Sequence, residues 1–101
     1  MTVNIQKDGT KLTIYAEGKL GTTAAPELEK ALKDNISGVK ELVFDFDALE
    51  YMASAGLRIL LSAAKVMKKQ GSMKIINDTP PVMDVFTFTG MADVLDISGK
   101  S

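Results

Sequence analysis

Residues 42–61 read LVFDFDALEYMASAGLRILL, and within this one stretch the hydrophobic period changes from that of a strand to that of a helix. Leu42, Phe44 and Phe46 alternate with Val43, Asp45 and Asp47, a period of two that fits a strand with one wholly apolar face. Val43 on the opposite face implies that both sides are covered. From Leu57 onward, Leu57, Leu60, Leu61, Ala64 and Met67 fall on one side when successive residues turn by about 100°. Between the two patterns lies Met52-Ala53-Ser54-Ala55-Gly56, a run with small residues and one hydroxyl where the helix begins.

Ser54 has two readings. As an N-cap, its hydroxyl would accept a hydrogen bond from an orphan amide of the first turn, worth about 1 kcal/mol. As a phosphoacceptor, it would carry about −1.5 to −2 charges where unpaired amides and the helix dipole favour an anion. Arg58 lies one turn further along and within reach to pair with that phosphate. From spacing alone the cap is preferred, since helix caps far outnumber modified serines.

Upstream, Val3 and Ile5, then Leu12, Ile14 and Ala16, alternate with other residues across Asp8-Gly9-Thr10. This predicts a hairpin turning on Asp8 and Gly9, both of which tolerate positive φ. Residues 18–23, GKLGTT, run into a helix with Thr22 or Thr23 as its cap, Pro26 in its first turn, and Leu28, Ala31, Leu32 and Ile36 as its core stripe. Residues 35–38 close that helix. The loop lacks the paired glycines and lysine of a phosphate-binding loop, so capping is preferred to nucleotide binding.

Downstream, the central helix ends in Lys68-Lys69-Gln70-Gly71, with bases against the negative end of the dipole and glycine beyond. Acids elsewhere balance these cations, so a solvated terminus is preferred to a binding patch. The same helix carries Ile59, Ala63 and Val66 outside its core stripe, which widens its apolar arc to roughly 220°. Burial under a neighbouring helix is preferred to an exposed docking edge. Met73, Ile75 and Ile76 form another strand. Pro80-Pro81 then opens a helix capped by Asp78 or Thr79, with Val82, Val85, Phe86 and Thr89 on one face and Gly90-Met91 at its end. Val94, Leu95 and Ile97 predict a brief edge strand or turn.

The order strand, strand, helix, strand, helix, strand, helix predicts an α/β fold, a mixed β-sheet whose right-handed crossovers place the helices mainly on one face. With 101 residues, of which 46% are apolar, the chain fills one core and is expected to be a single domain, 1–101. A net charge of −1 offers no electrostatic reason to bind nucleic acid or an anionic membrane. No apolar run approaches the roughly 20 residues that span a bilayer, and the amino terminus lacks a secretory signal, so a cytoplasmic location is expected. The absence of cysteine and histidine excludes disulfides, thiol catalysis and imidazole chemistry. Asp45, Asp47 and Glu50 are close enough in sequence to suggest magnesium, but hydrophilic residues leaving a strand explain them more simply. No enzyme, metal or cofactor is expected.

Residues 49–61, LEYMASAGLRILL, resemble the signature of the STAS domain, the family of bacterial anti-sigma factor antagonists. The likeness spans residues 3–97 and includes EGKL at 17–20 and FTGM at 88–91. The resemblance implies a STAS-like mixed sheet packed against helices. It implies that Ser54, two residues before the glycine, is phosphorylated by a partner that is both anti-sigma factor and serine kinase. The unphosphorylated form would capture this partner and free a sigma factor, regulating transcription, and a separate protein phosphatase would reset the switch. The partner-binding face so implied comprises Gly21, Thr22, Thr23, Ala53, Ser54, Ala55, Gly56, Arg58 and Ile59. The alternative is a STAS interaction subunit of a transporter ATPase complex or a stress-signalling assembly, gripped through Ile59, Ala63 and Val66, with Ser54 only a cap. The chain departs from the family's usual pattern where Ala53 replaces an aspartate, Ala55 a serine or threonine, and Gly21 a second aspartate. Negative charge beside Ser54 is correspondingly thin.

Overall fold

The hairpin opens the sheet. In the computed structural model, which describes residues 2–21, 23–90 and 97–99, β1 (Thr2–Asp8) pairs antiparallel with β2 (Lys11–Leu20). Asp8 lies opposite Lys11, so the turn is Gly9-Thr10 rather than Asp8-Gly9. Gly9 alone of that pair takes a positive φ, 60°, the conformation glycine adopts without steric cost.

The remaining elements are α1 (Ala25–Asn35), β3 (Glu41–Asp45), β4 (Leu49–Met52), α2 (Ser54–Gln70), β5 (Ser72–Asp78), α3 (Pro80–Thr89) and β6 (Ile97–Gly99). The sheet order is β1-β2-β3-β5-β6, and among the described residues every pairing beyond the hairpin is parallel. Each crossover, through α1, α2 and then α3, steps the same way across the sheet, so right-handed connections put all three helices on one face. The core is built there from Leu12, Ile14 and Phe44 of the sheet, Leu28 and Leu32 of α1, Leu60 and Met67 of α2, and Val82 and Phe86 of α3. Phe44 and Phe46 pack with ring centroids 5.8 Å apart and planes tilted by 46°, an arrangement that favours aromatic quadrupoles. Val43 is also buried but lies apart from this core, flanked in register by Thr13 and Lys74.

β4 occupies a stretch to which the sequence pattern assigns no strand. After β3 the chain makes a short turn, in which the Asp47 amide donates to Asp45 Oδ1 at 3.0 Å, and then returns to pair with the last residues of β2. The register jumps from Gly18 opposite Leu49 to Lys19 opposite Tyr51, leaving Glu50 as an extra residue. Such a bulge breaks the period of two: Leu49 and Met52 are buried while Glu50 and Tyr51 between them are exposed.

The far end of α2 is also tied down. Gln70 Nε2 donates to the carbonyls of Ile36 and Val39 at 2.9 and 2.7 Å. Gly71 follows in extended backbone, φ −179°, so it is not the left-handed cap that its place after the lysines suggests. A Cβ at this position would run into the Lys40 carbonyl. Gly90 does close α3 in the left-handed region, φ 79°. Met91, Val94 and Leu95 lie outside the described residues, and Ile97 opens β6.

Candidate functional site

Ser54 is delivered by the pairing of β4 with β2. Met52 pairs with Leu20, and the Ala53 amide donates to the Leu20 carbonyl at 2.9 Å, so the residue before Ser54 is held against the end of β2. Ala53 is therefore the N-cap, with φ −91° and ψ 171°, and Ser54 is already the first residue of α2. Its hydroxyl has no hydrogen-bond partner among the described residues and the residue is exposed. This corrects the capping reading: a hydroxyl at the first helical position is past the place from which it would reach a first-turn amide.

Gly56, by contrast, is buried. A Cβ there would lie 2.8–2.9 Å from the Leu20 side chain and 2.9 Å from Met52 Cγ, so glycine lets α2 start this close to β2 and β4 without displacing either side chain. The spacing of serine and glycine is thus mechanical. The glycine sets the helix against the sheet, and the serine two residues earlier is left outward.

The loop after β2 comes to the same end of the molecule. The Gly21 carbonyl accepts from the amides of Ala24 and Ala25 at 3.2 and 2.9 Å, turning the chain directly into α1. The N-cap of α1 is Ala24, with no side-chain cap bond. Thr23 does not cap and is exposed, Thr22 lies outside the described residues, and Pro26 occupies the first turn as expected. Both helices begin beyond the carboxyl ends of β2 and β4, the place where parallel sheets usually present their sites.

Between α1 and the start of α2 lies a shallow depression of about 250 Å³, bordered by Pro26 and Glu29 on one side and Ala55, Arg58 and Ser62 on the other. Glu29 pairs with Lys33 at 2.9 Å. Arg58 is exposed and makes no ion pair among the described residues. No acid stands in the first turn of α2. Ala53 and Ala55 are half-buried. Ile59 is buried, as is Ala63, while Val66 is 41% exposed. Ile59 therefore belongs to the core and is not available to a partner, contrary to its place in the expected binding face.

Asp45, the last residue of β3, has structural work. Asp45 Oδ1 accepts from both the Asp47 amide and Asn77 Nδ2, the latter at 3.3 Å. Asn77 adopts φ 58°, a conformation asparagine tolerates better than most residues, and its link to Asp45 is not visible in the sequence. Among the described residues no group of three or more acids, histidines or cysteines is placed to hold a metal. Thr79 is the residue before α3, as expected, but its hydroxyl donates to the Leu49 carbonyl at 3.0 Å instead of capping, tying α3 to β4. Phe88, to which the sequence assigns no role, is 93% exposed. Among the described residues no helix is long and apolar enough to cross a membrane.

Comparison with known proteins follows the same lines. The family model described as STAS domain matches residues 2–100. The anti-sigma-B factor antagonist of Bacillus subtilis is 28% identical over 102 aligned positions, which cover 100% of this chain and 94% of that one. The anti-sigma factor antagonist SpoIIAA in its unphosphorylated form superposes with a TM-score of 0.83 at 20% identity, over 95% of this chain and 87% of that one. The Bacillus cell fate determinant SpoIIAA in its phosphorylated form does so with a TM-score of 0.75 at 19% identity, over 95% and 90%. At these identities the structural likeness is one of fold.

Proposed function

The chain belongs to the STAS domain family, and from that premise we propose that it is an anti-sigma factor antagonist, a single-domain protein switch controlled by phosphorylation of Ser54. The observation that carries this reading is the Ser54 hydroxyl, exposed and uncommitted at the first residue of a helix whose start is held by β2 and β4. The 28% identity to a protein named as an anti-sigma-B factor antagonist supports it.

Unphosphorylated, the face made by Gly21, Thr23 and the first turn of α2 would bind an anti-sigma factor that is also a serine kinase, and so free a sigma factor in the cytoplasm. Phosphate at the centre of that face would oppose binding, because burying a negative charge that is not fully matched is costly. A phosphatase would restore the binding form. This chain's part is to be bound and modified, without catalysis of its own. A fixed subunit gripped through Ile59, Ala63 and Val66 loses most of its surface, since the first two are buried.

The test is intact mass and peptide mapping after incubation with ATP and each candidate anti-sigma kinase from the same source. A single phosphate on Ser54 is expected. Tight binding without phosphate transfer would overturn the switch.

A further inference from the structure

We propose that phosphate on Ser54 captures Arg58, so that phosphorylation loosens the partner by withdrawing a cation from the interface as well as by adding an anion to it. The inference rests on the phosphorylation switch proposed above and names how its charge is read. Arg58 is exposed and makes no ion pair among the described residues. Glu29, the acid beside the same depression, is paired with Lys33. In the unphosphorylated protein the guanidinium is thus available to an acidic group of the partner.

Phosphorylation changes its best partner. Ser54 and Arg58 are four residues apart on one helix, which brings their Cβ atoms to about 5–6 Å. A guanidinium presents a planar fork that matches phosphate oxygens two at a time. No acid in the first turn of α2 competes for it, and the flanking Ala53 and Ala55 bring neither charge nor side-chain hydrogen bonds. Once engaged, Arg58 turns its donors inward. The pair retains net negative charge, because the phosphate brings about −1.5 to −2 against a single positive charge. A partner carboxylate that met a cation now meets an anion.

Capture and simple addition of charge predict opposite couplings. If the phosphate acts only as added charge, Arg58 softens it, and removing Arg58 enlarges the loss of affinity on phosphorylation. If the pair must break for the partner to bind, removing Arg58 shrinks that loss. The first measurement needs no kinase: phosphoserine is installed at position 54 during translation and its 31P shift is titrated. Arg58→Gln is expected to raise the second phosphate pKa by about half a unit relative to the parent, with Arg58→Lys between them. No change would overturn the pair.

The second measurement is affinity for the kinase identified by the ATP incubation, with and without phosphate, in the parent and in Arg58→Gln. The unphosphorylated variant is expected to bind about tenfold more weakly, the phosphorylated one nearly as the parent does, so that the phosphorylation penalty shrinks about tenfold. A penalty unchanged or enlarged would overturn capture. Failure of every candidate kinase to modify Ser54 would sink the switch itself, while the 31P titration still decides the pair.

Discussion

Ser54 and Gly56 divide one short motif between signalling and mechanics. Ser54→Ala is expected to keep full affinity for the kinase in the presence of ATP, and Ser54→Asp to lose about tenfold or more through the negative charge it adds at the interface; equal affinity of the two variants, measured by titration calorimetry, would contradict the switch. Gly56→Ala pushes a methyl group against Leu20 and Met52, and overpacking of this kind costs about 1–3 kcal/mol, readable as a lower urea midpoint. The motif was legible because small residues around one hydroxyl stand out where the hydrophobic period changes. The cap was misplaced by one residue because a contact distant in sequence, the Ala53 amide on the Leu20 carbonyl, decides where the backbone stops being extended. Nothing local at 53 or 54 announces it.

Elements announced themselves in proportion to their regularity. All three helices follow from apolar residues at helical spacing and from prolines in the first turns of α1 and α3, whereas β4 escaped because its bulge places buried Leu49 and Met52 three residues apart. The breadth of the apolar arc on α2 predicts burial beneath a neighbour, and Ile59 and Ala63 are buried while Val66 remains on the rim. Ile59→Ala is accordingly expected to cost about 2–5 kcal/mol of stability, with partner affinity unchanged in the fraction that stays folded. Its sequence neighbours predict a solvated helix end for Gln70, yet it clasps the segment between α1 and β3 through two carbonyls. Gln70→Ala leaves both without this donor and is expected to lower stability by about 1–3 kcal/mol, measured by chemical denaturation. A polar side chain's long-range partner has no signature in periodicity.

At the scale of the molecule, the alternation of strands and helices after a hairpin was enough to predict the architecture, because right-handed crossovers leave few other arrangements. It did not predict that the first turn of α1 and the first turn of α2 meet across one depression, which depends on β4 returning to the end of β2. Phosphoserine at 54 is expected to shift backbone amide resonances only near 20–25 and 53–62; changes spread through the sheet would mean that the fold itself responds. The clamp of Ala53 on Leu20 at one end of α2 and of Gln70 on residues 36 and 39 at the other also bears on timing. A signal written on a helix fastened at both ends has no chain rearrangement to wait for. The delay between stimulus and response is then set by how fast the kinase and phosphatase turn over and how fast the complex comes apart, and the tempo of the circuit can be retuned by its enzymes while this chain stays the same.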